Sequence, residues 1–503
     1  MLNKKKNFRY ILIGILGGCG ILISGCRNGG EKTEVVWYVE NPRYYGVEGE
    51  AEPYKELKSE RFELFNKRLK ELDIQADVVF KYNPPIDMAE EERITNEEYY
   101  KKRLDYDRNQ IEKLLQEDSE ADIVMYQPLE YQQFLPLNDY LEKEENKKVK
   151  EAIPEAIWKV NRVGEKMYQI PKGNVAINET VYTFYKPFLE QYGIKIDTEA
   201  VKQMTPKEVI FYLMPYFEQE RLLDDQYYLT SAADLRYKNM FGSEWIPVIP
   251  RWQDWNIALR LSDQQMINCL ETEAMQEGLE VQQWIYENDL DAHIELYDKN
   301  IQARAVFQIT NIPTIEELKG EYESDWLEVP LGNRNVAGSA GNGVLKDSDE
   351  KDLAVQVLAA SMYDAELSNL MIYGVPKKDY VLKDGVVVEG EFSSNMGSFS
   401  QIGNNLIAYP NLMEVKEKRE RTETLLQNMP EQPCSTFVPV WGDDIWEKML
   451  DVAGIYSQIS RTVGFEEIPD FNAYMEEQEA LLKEAGVEEV VSDLQGQVDC
   501  WKE

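Results

Sequence analysis

The apolar positions of this chain switch between two periods. Val35, Val36 and Trp37 open a short apolar strand, and a loop of turn formers and aromatics runs from Asn41 to Pro53. Phe62, Phe65, Leu69 and Leu72 then recur at spacings of three, four and three, the mark of a helix with one apolar face. The stretch Ile74 to Phe80 alternates and includes β-branched residues, as a strand does. The order repeats with a helix over Ile111 to Leu115, a strand over Ala121 to Tyr126 and a helix over Leu135 to Leu141. Strands and helices in this alternation predict an α/β fold with mixed, mostly parallel sheets flanked by helices.

The N-terminus follows a different pattern. Lys4, Lys5, Lys6 and Arg9 precede an uncharged run from Tyr10 to Gly25. That run is shorter than the roughly 20 apolar residues a membrane span needs, and it fits the apolar region of a secretory signal. Ile23-Ser24-Gly25-Cys26 resembles the bacterial lipobox, in which the cysteine is acylated and becomes the mature N-terminus. The expectation is a signal peptide over 1–25, lipidation at Cys26 and a short tether over 26–33, through Arg27-Asn28-Gly29-Gly30.

Composition narrows the function. The formal charge is −38 over 503 residues, and removing the basic leader makes it more negative. Such a surface repels nucleic acid, which is excluded as a partner. The single histidine, His293, leaves no multi-histidine metal site and no histidine-based triad beyond it. Cys269, Cys434 and Cys500 are widely spaced, so they give neither a zinc motif nor a disulfide framework. Asp105-x-Asp107-x-Asn109 lacks the glycine of a calcium loop. Gly338 to Gly343 does not match a phosphate cradle and reads as a tight crossover. No cofactor and no metal are expected.

A run of short motifs resembles the extracellular solute-binding proteins of sugar-type ABC transporters. In order these are Val36-Trp37-Tyr38, Phe65-Asn66, Ala121-Asp122-Ile123, Tyr168-Gln169-Ile170-Pro171, Val181 to Tyr185 and Tyr192-Gly193-Ile194. Further on come Arg304 to Phe307, Val329-Pro330-Leu331, Gly338 to Gly343, a helix with Leu353, Val357, Leu358 and Met362, and Tyr373-Gly374-Val375. Pro84 to Glu98 and Asp379 to Asn405 depart from the pattern as insertions.

The resemblance implies the two-lobe, type II periplasmic-binding-protein fold, with a cleft at a multi-strand hinge. Lobe one takes 34–175 and 332–380, and lobe two takes 176–331 and 400–503. The crossings fall near Asn174 to Thr183 and Glu328 to Arg334, with a third after Tyr380. It also implies a monomer on the outer face of the cytoplasmic membrane, held by its lipid. There it captures a small solute, most simply a saccharide, and presents it to the permease subunits of an ABC importer.

Saccharide recognition needs aromatic faces ringed by polar side chains. Trp37, Tyr38 and Glu40 end the first strand, and Tyr126 and Gln127 end the Ala-Asp-Ile strand. Trp245, Trp252, Asp254 and Trp255 lie in a proline-flanked stretch, Asn342 in the glycine-rich return strand, and Trp441 beside two aspartates. These are the candidate ligand residues, and none is expected to be catalytic. Two other readings stand beside this one: a surface lipoprotein receptor that kept the fold, and an exported carbohydrate hydrolase needing two positioned carboxylates.

Overall fold

The structure, a computed structural model, describes residues 33–39, 56–83, 109–126, 128–172, 177–221, 227–230, 245–248, 257–288, 290, 304–313, 325–336, 341–389, 402–411, 418–427, 434 and 437–502. The first sheet contains β1 (Thr33–Val39), β2 (Ala76–Tyr82) and β3 (Ala121–Met125), with β1 at its centre. β1 runs parallel to β2, from Thr33 beside Ala76 to Val39 beside Tyr82, and parallel to β3. Residues Val35 to Val39 are all buried, because helices cover both faces of the sheet.

Helix α1 (Glu60–Glu71) turns Phe62, Phe65 and Leu69 inward as their spacing predicts. Its Asn66 side chain accepts the Val78 N–H at 2.7 Å and donates to the Val78 carbonyl at 2.9 Å. The amide thus stands in for a strand partner along β2, the edge of the sheet. The expected helix over Leu135 to Leu141 shrinks to Asn138–Leu141. Pro136 explains the loss, since it disfavours helical backbone at Leu135.

The second sheet is antiparallel and centred on β4 (Ile177–Tyr185). Helices α2 (Pro206–Arg221) and α3 (Glu273–Glu287) flank this part of the chain. Between them in sequence lies a meander of β5 (Trp245–Pro247), β6 (Ile257–Arg260) and β7 (Gln265–Asn268). The strands beside β4 are β8 (Phe307–Pro313) and β9 (Trp326–Val336). Their core holds Tyr182, Phe184, Phe188, Leu213, Phe307 and Val329.

The chain returns to the first sheet through β10 (Asn342–Val344), antiparallel to β3, and so completes the order β10-β3-β1-β2. Helices α4 (Lys351–Tyr363) and α5 (Ala365–Tyr373) then close the first core. Strands β11 (Val381–Lys383) and β12 (Val386–Glu389) form a hairpin with Asp384 and Gly385 at its turn, both at positive φ.

One expected boundary is corrected. Residues 402–427 were assigned to the second lobe, yet Ile402, Leu406 and Leu426 belong to the core of the first sheet. Asn404 fixes the segment there, donating from Nδ2 to the Ala152 carbonyl at 3.1 Å and the Met362 carbonyl at 3.0 Å. The remaining helices, α6 (Asp443–Thr462), α7 (Phe471–Glu484) and α8 (Val487–Lys502), pack with the meander around Trp441, Tyr456 and Leu494. Gln495 of α8 closes the meander's edge, accepting the Met266 N–H at 2.7 Å and donating to the Gln264 carbonyl at 3.2 Å.

Candidate functional site

Parallel strands present their carboxyl ends to ligands in open α/β sheets. In the first sheet those ends are Val39, Tyr82 and Tyr126. Asn83 extends the edge, its N–H donating to the Val39 carbonyl at 2.9 Å. The first turn of α1 adds Arg61, whose pKa burial lowers while the neighbouring Asp379 and Tyr82 oppose the shift. Gly374 has a φ of +92°, and a side chain there would press on the Asp379 carboxylate and come within 2.7 Å of Arg61 Nη2. Arg61, Tyr82, Asn83 and Asp379 are edge residues that the sequence reading did not select. The clue was present, since Tyr82 and Asn83 directly follow the predicted strand.

Trp37 and Asn342, both predicted, are brought together: the indole Nε1–H donates to Asn342 Oδ1 at 3.2 Å. Trp37 is fully enclosed, with Phe80 stacked at 5.5 Å and Phe65 edge-on at 6.3 Å between ring centroids. Its ring is therefore part of the core in this structure, not a platform facing a cleft. Asn342 lies between two partners, paired with Met125 of β3 on one side and bridged to Ile170 on the other. Glycines flank it because space is short. A Cβ on Gly341 would meet the Ile170 carbonyl oxygen and Gln169 Oε1, and one on Gly343 would meet Phe134 and the Tyr168 carbonyl.

Tyr126 leaves β3 with its N–H on the Gly341 carbonyl at 2.9 Å. Its ring packs on Phe134 at 5.0 Å, and Tyr131 meets Tyr168 edge-on at 5.3 Å. Burial pushes the Tyr126 phenol well up, and the neighbouring Tyr168 and Tyr131 add to the shift. Among the described residues its hydroxyl is buried with no hydrogen-bond partner, as is Gln169 Oε1.

Glu130 follows on the same connection and caps the helical residues 109–117, accepting the Ile111 N–H at 2.8 Å and the Glu112 N–H at 3.2 Å. Burial nevertheless pushes its carboxyl up to about 7. Asp122, inside the Ala-Asp-Ile motif, is structural. It accepts the Val36 N–H at 2.8 Å, where the β1 to β3 register shifts, and the Ser348 hydroxyl at 2.5 Å.

The other predicted residues are dispersed. Tyr38 is fully buried, its hydroxyl donating to Asp118 Oδ2 at 2.6 Å, and Lys81 binds the same oxygen. Burial alone would raise the Asp118 pKa, but hydrogen bonds from Lys81 and Tyr38 hold it below its ordinary value. Trp441 is buried in the meander's core, edge-on to Trp446 at 6.1 Å. Trp245 is half-buried on β5 with the Arg260 guanidinium over its ring at 5.5 Å. Glu40, Gln127, Trp252, Asp254, Trp255 and Cys26 lie outside the described residues. Cys269 and Cys434 are buried and Cys500 is exposed.

No protein-family model matches the sequence, and no curated protein matches it significantly. Solved structures match its fold over nearly its whole length. The N-glycan transport solute-binding protein NgtS of Streptococcus pneumoniae is 17% identical, with a TM-score of 0.65 over 94% of this chain and 99% of that one. That protein has also been solved with Man1GlcNAc and with Man5GlcNAc. An extracellular solute-binding protein of Bifidobacterium longum subsp. infantis is 13% identical, with a TM-score of 0.54 over 94% and 99% of the two chains. An HMO-binding, ABC-transporter-associated solute-binding protein of Bifidobacterium longum infantis is 11% identical, with a TM-score of 0.52 over 94% and 100%. These neighbours are binding proteins rather than enzymes, and this chain has their fold, the two-lobe α/β fold of ABC-transporter solute-binding proteins.

Proposed function

We propose that this protein is the extracellular solute-binding component of an ABC importer, anchored through a lipid on Cys26, and that its solute is a saccharide. The observation that carries the reading is the carboxyl edge of the first sheet. There Tyr82, Asn83 and Tyr126 end or follow strands of the sheet, with Arg61 close enough to Tyr82 to interact with it. Aromatic faces with hydroxyl, amide and guanidinium groups are the chemistry that holds a sugar ring and its hydroxyls. The structural neighbours that bind Man1GlcNAc, Man5GlcNAc and HMO point the same way. Among the described residues, no helix is long and apolar enough to cross a membrane.

In this reading the lobes take residues 34–175 with 332–427, and 176–331 with 428–503, the boundary at 427 following the packing of Ile402 and Leu426. The paired strands β4 and β9 form the crossing. Their ladder is regular from Trp326 beside Tyr185 to Pro330 beside Val181, then shifts before Arg334 beside Glu179. Within the shift Gly332 takes a φ of +84°, and its N–H donates to Glu179 Oε1 at 3.1 Å. A bulge bends and twists the strand that carries it, which suits a hinge. Ligand enters the open form against one lobe, and closure adds contacts from the other. Affinity is then the energy that shifts the protein from open to closed. No bond of the ligand is made or broken. The ligand residues proposed are Arg61, Tyr82, Asn83 and Tyr126 at the sheet edge, Asn342 and Trp245, with Glu40, Gln127, Trp252, Asp254 and Trp255 from the surrounding segments.

The test is a thermal-shift screen against neutral oligosaccharides, uronic acids, polyamines and short peptides. A ligand at a hundredfold over its Kd adds about 2.7 kcal/mol of stability, a shift of several degrees. A shift with saccharides alone supports the reading. A shift with amines or peptides alone overturns the saccharide, and release of shortened sugar products overturns the binding protein.

A further inference from the structure

Buried polar atoms in folded proteins nearly always have a hydrogen-bond partner, and an exception calls for a reason. The Tyr126 hydroxyl is such an exception, on a residue only 5% exposed. It lies at the carboxyl end of a parallel strand, where the fold presents ligand groups. Tyr168 shares its buried cluster, and Tyr131 packs against that cluster. Tyr168 is buried, whereas Tyr131, packed edge-on against it, is partly exposed.

We infer that Tyr126, Tyr131 and Tyr168 form one recognition cluster in which the Tyr126 hydroxyl is kept without a protein partner, so that a ligand hydroxyl completes it. The inference rests on the binding-protein reading and adds two residues to its site. Tyr131 is the member that solvent reaches, so it is the one that must turn aside for the ligand. Its contact with Tyr168 is a ring edge rather than a hydrogen bond. The ligand class is a neutral polyol or saccharide, since a buried phenol hydroxyl offers a donor and an acceptor but no charge.

The cluster makes an unusual demand on a variant. Tyr182 is a useful control, because its hydroxyl is also buried but donates to the Met204 carbonyl at 3.0 Å. Tyr126→Phe, Tyr182→Phe and the unaltered protein are melted without ligand and titrated by calorimetry with Man5GlcNAc and a panel of neutral oligosaccharides. Tyr126→Phe is expected to melt at or above the unaltered protein, while Tyr182→Phe melts below it. Binding of the sugars that the unaltered protein takes up weakens about tenfold in Tyr126→Phe, the size of one lost hydrogen bond. A fall in Tm like that of Tyr182→Phe overturns the inference, since the hydroxyl then has a structural partner such as an enclosed water. Unchanged sugar affinity in Tyr126→Phe also overturns it. If the unaltered protein binds no sugar in the panel, the saccharide reading fails separately and the melting comparison alone decides whether the hydroxyl is kept free.

Discussion

The Trp37 indole donates to the Asn342 side chain at 3.2 Å across 305 residues of sequence. The bond joins β1 of the first sheet to β10, the strand that returns to it after the second sheet. Trp37→Phe keeps an aromatic ring between Phe65 and Phe80 but removes the donor. It should lower unfolding free energy by about 1 kcal/mol, read from urea denaturation, while Trp37→Ala should cost about 3 to 5 kcal/mol. Both variants are expected to lose stability without a selective loss of ligand affinity.

Two glycines near the proposed cleft should respond differently to alanine. Gly332 has a strained φ of +84° for any L residue but open space around a Cβ, so Gly332→Ala should cost about 1 to 2 kcal/mol. Gly341→Ala drives its Cβ into the Ile170 carbonyl and Gln169. It is expected to be the more damaging of the two, with a lower Tm and faster exchange of the Ile170 and Tyr126 amides.

Those glycines also show what was legible in the sequence. The order of strands and helices around β1 to β3 was readable because period-two and period-3.6 patterns survive in any single stretch. The roles of Trp37, Tyr38 and Trp441 were not. A strand buried on both faces has no polar side to mark which residue faces ligand, so Trp37 could be placed at a strand end but not on a face. The tyrosine cluster was hidden for another reason. Tyr126 and Tyr131 lie on one connection, and only the fold brings Tyr168 to them. The stretch from 402 was assigned to the other lobe because its ties to the first core, the packing of Ile402, Leu406 and Leu426 and the Asn404 bonds to two distant carbonyls, are long-range contacts that no local pattern reveals.

Glu130 should make stability depend on pH. Its carboxyl is raised from 4.5 to about 7 by burial, so the folded protein holds that proton more tightly than the unfolded chain. The associated stability is present in full below pH 4.5 and is lost as pH rises through 7. Glu130→Gln cannot titrate. The Tm of the unaltered protein is expected to fall relative to that of Glu130→Gln over this window, as scanning calorimetry at fixed ionic strength would show.

Asn66 offers a test of the edge of the first sheet. Both of its amide atoms bond to Val78 on β2. Asn66→Asp keeps the acceptor and loses the donor, and Asn66→Leu loses both. Leu should be the worse replacement, costing about 1 to 3 kcal/mol because a half-buried strand N–H and carbonyl lose their partner. Hydrogen exchange at Val78 should rise in step.

The central claim is a two-lobe protein that closes on a saccharide, and small-angle X-ray scattering with and without a saturating oligosaccharide tests it most directly. The account predicts a smaller radius of gyration in the presence of a sugar that also raises the Tm. A radius that stays constant with every sugar that raises the Tm would contradict closure between the lobes.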